Sequence, residues 1–321
     1  MRHSLNPARR QHGFALIIAL WAGVLLSVIA AHFILGARAE SRLAVNLLEG
    51  ARAEALADAG VRRGIVALLS DDGDSRWIPD GRLYELPLGD GSIRVRLSSE
   101  SARVDLNAAP EALIYGLLDS LARHGVLESR AQAARIADAI LDWRDADAEP
   151  RPGGAEDREY KASGYAYGAR DDAFQSVAEL GRVFGVTPEL RARLAPWFTV
   201  YARTPHVDAQ TAPREVLLAI PGLDIDSVDR FVEAREALRG ARPGARSRAP
   251  IELLSAGASY LSPSEPRVFA VEAEGVMFGG ARATRRAVIE LTGLADQPYA
   301  VIAWFDDTTI SGAADAPTGG S

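Results

Sequence analysis

Apolar positions at the start of the chain run without interruption. From Phe14 to Leu35 there is no formal charge, and Ser27 and His32 are the clearly polar members. As a helix this stretch is roughly 33 Å long, enough to cross a bilayer core. Arg2, Arg9 and Arg10 precede it and the first acid is Glu40. Positive charge on that side keeps the N-terminus cytoplasmic, so residues 14–35 are expected to span a membrane. Beyond it, Leu43, Leu47, Leu48, Ala51, Ala55, Ala59, Ile65, Leu68 and Leu69 recur at helical spacing with charges on the other face. Gly50, Gly60 and Gly64 weaken that pattern locally.

The rhythm then changes. The stretch DDGDSRWIPDG breaks the helix. Ile93, Val95 and Leu97 alternate with polar neighbours as in a half-buried strand, after a turn at Gly89–Gly91. A block of capped helices follows, with one phrase used twice. RVDLNAAPEAL returns as HVDAQTAPREVL, each leading through Ala-Pro into a helix. The second copy continues through Pro221-Gly222-Leu223 into another helix, a helix-hairpin-helix pattern. Residues 180–196 are a looser relative, with Gly185 in the turn and Thr187 as cap. Alternation resumes at Val268–Val271 and Arg286–Leu291, with a turn at Gly279–Gly280, and a last strand runs from Tyr299 to Phe305. The Gly/Ala/Pro-rich tail 311–321 is expected to be disordered. The fold class expected is α+β: a long N-terminal helix packed on an antiparallel sheet, with a large all-helical domain inserted at 107–250. Residues 36–106 and 251–310 then supply the rest of the helix and the strands.

Composition narrows the function. A formal charge of -7 over 321 residues lacks the basic stripe of a nucleic-acid binder. There is no cysteine, hence no disulfide framework, and the five histidines form no local metal motif. No nucleophile motif or phosphate loop is present, so an enzyme is not expected.

The most chemically suggestive stretch is DWRDADAEPRPGGAEDREY, from Asp142 to Tyr160. Asp145, Asp147, Glu149, Glu156 and Asp157 crowd together, while Pro150, Pro152, Gly153 and Gly154 keep the stretch irregular. Four of the acids even match positions 1, 3, 5 and 12 of an EF-hand loop, but Pro150 stands where that loop needs glycine. Three readings stay open: a solvated acidic loop, oxygen ligands for a hard cation, or an acid–base pair.

A short basic leader, Gly13, then Phe14 opening an apolar helix together resemble the type IV pilin-like leader. The resemblance implies cleavage after Gly13 by a prepilin peptidase, methylation of the new terminus Phe14, and a leader at residues 1–13. A secretory signal fits less well, because its apolar region is only about 7–15 residues long. Most of that superfamily carry glutamate at the fifth mature position; here it is Ile18. Its absence is characteristic of the large K-type minor pseudopilins of type II secretion. A subunit without that buried carboxylate has none of its own to pair with a subunit above it, which suits the tip of a fibre. The acidic loop also resembles theirs: Asp142-Trp143, further acids, Glu149-Pro150, Gly153-Gly154, Ala155-Glu156-Asp157 and then Tyr160.

Members of that family bind calcium in this region. The resemblance therefore implies a structural calcium held by Asp145, Asp147, Glu156 and Asp157, with Asp171 and Asp172 as further ligands. It implies a pilin-like fold along almost the whole chain and a non-enzymatic tip subunit of a periplasmic pseudopilus. That subunit would be single-pass in the inner membrane with its bulk in the periplasm. Its partners would be other minor pseudopilins, the prepilin peptidase and secreted proteins, with no nucleic acid. The alternative is a minor pilin-like subunit of a DNA-uptake or adhesion fibre.

Overall fold

The computed structural model describes residues 12–70, 76–241 and 248–306. Most of the leader and the whole tail 311–321 thus lie outside the described residues. Gly13 and Phe14 are described by backbone alone, as the first turn of α1 (His12–Leu69). In its first part α1 carries described side chains over 16–30, an apolar window of about 22 Å. Leu16, Leu20 and Trp21 there are exposed. Among the described residues no helix is long and apolar enough to cross a membrane.

From Ala53 onward α1 belongs to a second compact unit. Ala53, Ala57, Val61, Ile65 and Leu68 recur three or four residues apart and are buried, one stripe of the helix turned inward. They face a five-stranded sheet of β1 (Asp80–Leu88), β2 (Gly91–Ser99), β5 (Val268–Met277), β6 (Arg282–Leu291) and β7 (Tyr299–Asp306). The strand order is β1-β2-β5-β6-β7, each pair antiparallel. The expected inward set Ile93, Val95 and Leu97 is buried, and β2 alternates strictly. Gly89 and Gly280 both have positive φ in the hairpin turns that join neighbouring strands. Outward positions carry cross-strand ion pairs, Arg282 with Glu274 at 3.0 Å and Arg94 with Glu85 at 3.2 Å.

The helix approaches the sheet more closely than side chains would permit. A Cβ on Gly60 would lie 2.6 Å from Ile93 Cγ2, and one on Gly64 2.7 Å from Val271 Cγ1. Across the interface, a Cβ on Gly275 would lie 2.1 Å from the Ala53 carbonyl oxygen. Gly60 and Gly64, two of the three glycines that weaken the helical pattern in the sequence, are thus where helix and sheet meet.

Between β2 and β5 the chain builds a second apolar core. It contains β3 (Val104–Asp105), α2 (Glu111–Arg123), α3 (Arg130–Arg144), α4 (Asp157–Ala162), α5 (Pro188–Leu194), β4 (Phe198–Thr199), α6 (Arg214–Leu217) and α7 (Ile225–Ala241). Leu113, Leu117 and Leu121 of α2 meet Ile136 and Ile140 of α3 in its centre. Strands β3 and β4 pair in parallel, tying the start of this block to a point near its middle. Pro110 and Pro213 occupy equivalent N-cap positions with near-identical extended backbones, so the repeated phrase is one structural device used twice. Thr187 caps α5, its hydroxyl accepting from Leu190 N at 3.2 Å. Glu100, fully buried, accepts a short hydrogen bond from Thr199 and lies 3.4 Å from both Arg103 and Arg286, joining this block to β6.

Substitution at the helix–sheet contact separates crowding from helix propensity. Gly275→Ala meets backbone atoms and is expected to lower stability by about 1–3 kcal/mol or more. Gly50→Ala meets nothing within 4 Å and is expected to be neutral or to gain about 0.5–1 kcal/mol. Urea unfolding of the full chain in detergent, followed by tryptophan fluorescence, checks both.

Candidate metal centre

The acidic loop leaves the C-terminus of α3, and α3 supplies its foundation. Asp138 and Asp142 lie one turn apart on that helix and are both buried. Asp138 Oδ2 accepts from Gly153 N at 2.8 Å, and the Asp142 carboxylate accepts from Arg151 N at 3.1 Å. The loop backbone therefore lies directly on two carboxylates. A Cβ on Gly154 would fall 1.9 Å from Asp142 Oδ2, and one on Gly153 2.8 Å from Asp138 Oδ2. The glycine pair is thus required by this close approach as well as by the irregular path.

Three of the expected ligands come together. Asp145, Asp147 and Glu156 each offer an oxygen, and these oxygens lie within 4.8 Å of one another. Asp145 follows the last turn of α3, and Glu156 is the N-cap of α4. The Glu159 carboxylate accepts from Glu156 N at 3.1 Å and fixes that turn. Asp157, in the first turn of α4, pairs with Lys161 at 2.8 Å. Asp172 accepts from Ala173 N at 2.7 Å. Asp157, Asp171 and Asp172 are not in the three-oxygen group. Asp171 is nevertheless near enough to matter. Burial and the negative charges of Asp157, Asp145 and Asp147 raise its pKa. Its backbone is left-handed, with φ 55°, a conformation aspartate tolerates better than most residues.

The electrostatics are unbalanced. Glu156 is buried, and burial together with Asp142, Asp171, Asp145 and Asp147 pushes its pKa up to about 7. Arg151 supplies the local positive charge, bonding Asp142 at 2.8 Å and Glu111 at 2.8 Å and also contacting Asp145. Burial opposes the charge on Arg151, but its bonds to Asp145, Asp142 and Glu111 outweigh this and raise its pKa. Asp145 Oδ1 and Glu156 Oε1 are left buried with no hydrogen-bond partner. Two orphaned carboxylate oxygens beside a third acid are a costly arrangement that a hard cation would relieve. The residues present fit such an ion.

Asp138, Asp142, Glu111 and Arg151 were not among the sequence candidates. The one available signal was two acids a helical turn apart on an otherwise apolar face of α3. Beneath the loop, Tyr160 is fully buried, packs among Trp143, Tyr165, Tyr167 and Phe184, and accepts from Phe184 N at 2.8 Å. Gly168 lets the next loop pass: a Cβ there would lie 1.6 Å from Asp157 Oδ1. At the helix-hairpin-helix turn, Asp224 caps the following helix, accepting from Ser227 N at 2.8 Å. One amide at the start of that helix, Ser227 N, therefore already faces a carboxylate.

Comparison with known proteins places this architecture among relatives. Residues 97–203, which contain the three-oxygen group, match the family model described as type II secretion system (T2SS), protein K. The chain is 29% identical over 251 residues to the type II secretion system protein K of Pseudomonas aeruginosa, covering 71% of this chain and 73% of that protein. It is 26% identical over 253 residues to that of Klebsiella pneumoniae, covering 72% and 75%. Its fold matches a chain in the crystal structure of the GspK-GspI-GspJ complex from enterotoxigenic Escherichia coli. The TM-score is 0.52 at 17% identity, over 85% of this chain and 99% of that one.

The raised pKa of Glu156 has a definite consequence for stability. Below its ordinary value of 4.5 the group is protonated folded or unfolded. Between 4.5 and about 7 the folded chain keeps a proton that the unfolded chain has released. With divalent ions chelated, stability should therefore fall as pH rises through that window, by at most about 1.4 kcal/mol per pH unit. Glu156→Gln should flatten this fall. Urea midpoints of both proteins in EDTA across the window test it, and parallel curves would contradict the assignment.

Proposed function

We propose that the chain belongs to the type II secretion system protein K family and is the structural minor pseudopilin at the tip of a periplasmic pseudopilus, assisting export of folded proteins across the outer membrane. The observation that carries this reading is the family match over 97–203, the region that also holds the acidic centre. The role is one of assembly and shape. Other minor pseudopilins are its partners, and the likeness to a chain of the GspK-GspI-GspJ complex supports this choice.

The start of α1 supplies the assembly surface and the anchor in the inner membrane. What supports this is the uncharged run from Phe14 to Leu35, the basic flank before it, and the exposure of Leu16, Leu20 and Trp21. A prepilin peptidase cuts after Gly13, and Phe14 becomes the methylated terminus. Ile18 stands where a carboxylate would otherwise pair with a neighbouring terminus, so the subunit caps rather than extends the fibre. In such a fibre the helix packs against sister helices instead of lipid. Small residues such as Ala22, Gly23, Ala30 and Ala31 give the close approach that this packing needs.

A structural calcium ion is held by Asp145, Asp147 and Glu156, with Asp171, whose charge also acts on Glu156, as a further candidate ligand. The two orphaned oxygens support the assignment. Bound there, the ion supplies positive charge and oxygen coordination to a loop whose acids otherwise repel one another.

Mass spectrometry of the native membrane-extracted protein should find a chain beginning at methylated Phe14. A terminus that retains residues 1–13 would remove the basis for the tip assignment. Calcium should raise the melting temperature of the full chain, by an amount corresponding to about 2.7 kcal/mol at a hundredfold excess over Kd, and EDTA should reverse it. Asp145→Asn with Asp147→Asn should abolish most of that gain. An unchanged response to calcium in this double variant would rule out these ligands.

A further inference from the structure

Where the sheet meets the helical block there is a cavity of about 160 Å³. Leu68, Phe269 and Leu291 line it from the helix and sheet, and Arg235, Arg239 and Arg248 line it from the other side. Arg76 lines it as well, and the other three guanidinium groups are not equivalent. Arg239 is fully engaged, with Asp80 at 3.1 Å, Glu236 at 2.6 Å and the Gln210 carbonyl.

Arg235 is only 8% exposed. Its Nη1 donates to the carbonyls of Ala209 at 2.9 Å and Ala212 at 2.7 Å, but its buried Nε has no acceptor. Its nearest carboxylate, Glu236, is 3.6 Å away and half exposed. Arg248 lies 3.9 Å from Asp208, beyond hydrogen-bond reach. The Asp208 oxygens are already occupied by Gln210 N at 3.2 Å and the Thr211 hydroxyl at 2.5 Å. Arginine does not deprotonate in a protein. The cavity thus combines a buried cation whose Nε lacks an acceptor, a second cation with no carboxylate closer than 3.9 Å among the described residues, and an apolar wall.

We propose that this cavity binds a carboxylate presented by an acidic peptide segment of a partner protein. Its size sets the scale, since a cavity of about 150 Å³ holds one benzene. It admits a single side chain, not a nucleotide or an oligosaccharide. The methylenes of the acid lie along the apolar wall, and the carboxylate takes the free Nε–H of Arg235 and the guanidinium of Arg248. Asp208 and Glu265, which also line the cavity, disfavour an anion of higher charge. The proposal is independent of the metal centre and of the family reading.

The test uses the full chain in detergent and calorimetric titration into the millimolar range. The probes are a capped pentapeptide with a central glutamate, the same peptide with glutamine, and inorganic phosphate. The glutamate peptide should bind, and the glutamine peptide should bind about tenfold more weakly or not at all. Arg248→Ala should weaken the glutamate peptide by about tenfold. Arg235→Lys should also weaken it, but Arg235 holds two carbonyls and its variant could fail to fold. Arg248 is solvent-facing and keeps the test decisive. Equal binding of the two peptides, no effect of Arg248→Ala, or no binding of the glutamate peptide would overturn the proposal. Phosphate binding more tightly than the glutamate peptide would overturn it in favour of a phosphate site.

Discussion

Helix α1 and the sheet meet at backbone distance, and the rest of the globular unit is arranged around that contact. The Ala53 carbonyl and the Ala57 amide sit over Gly275, and Gly60 and Gly64 sit over Ile93, Val271 and Ala273. Larger side chains on either surface would push the layers apart and expose both apolar faces. Close contact lets one stripe of helix cover the inner faces of β2 and β5 together. Those two strands are neighbours in space and far apart in sequence, with the whole helical block between them. Holding them together therefore also fixes where that block begins and ends. Buried Glu100, with Arg286 and Thr199, reinforces the same junction.

The acidic centre rests on a different balance. Carboxylates placed close together repel, and burial makes each charge more costly. Here the repulsion is partly met from within the chain. Asp138 and Asp142 accept loop amides, and Arg151 threads between Asp142, Asp145 and Glu111. What remains is concentrated at Asp145, Asp147 and Glu156, where two oxygens have no partner. A rigid frame around an uncompensated negative centre is suited to holding a hard cation as a structural clamp. Glu156 of this centre is the N-cap of α4, and Tyr160 of the same helix packs in the aromatic cluster.

These two devices suit a subunit whose role is to hold a shape within an assembly. One end of α1 exposes large apolar side chains, while the other is sealed onto the sheet through small ones. The same helix thus presents two kinds of surface, one apolar and exposed and one buried against its own body.

The elements were largely legible in the sequence, because periodicity and turn chemistry are local. The period of α1, the alternation of β2, the hairpin glycines and the Thr187 cap follow from residues a few positions apart. The acidic loop was also visible, since its acids are crowded along the chain. Which acids converge was not: Asp145, Asp147 and Glu156 meet, while Asp157 turns to Lys161 and Asp172 to the amide of Ala173. Nor could the sequence show that Gly60 and Gly64, poor residues for a helix, sit where the sheet comes closest. Arg151, Asp138 and Arg235 likewise acquire their roles from partners distant in the chain. Local pattern sets which segments become helix or strand. Contacts between remote segments set which charges share a site, because distance in space, not in sequence, governs electrostatic energy.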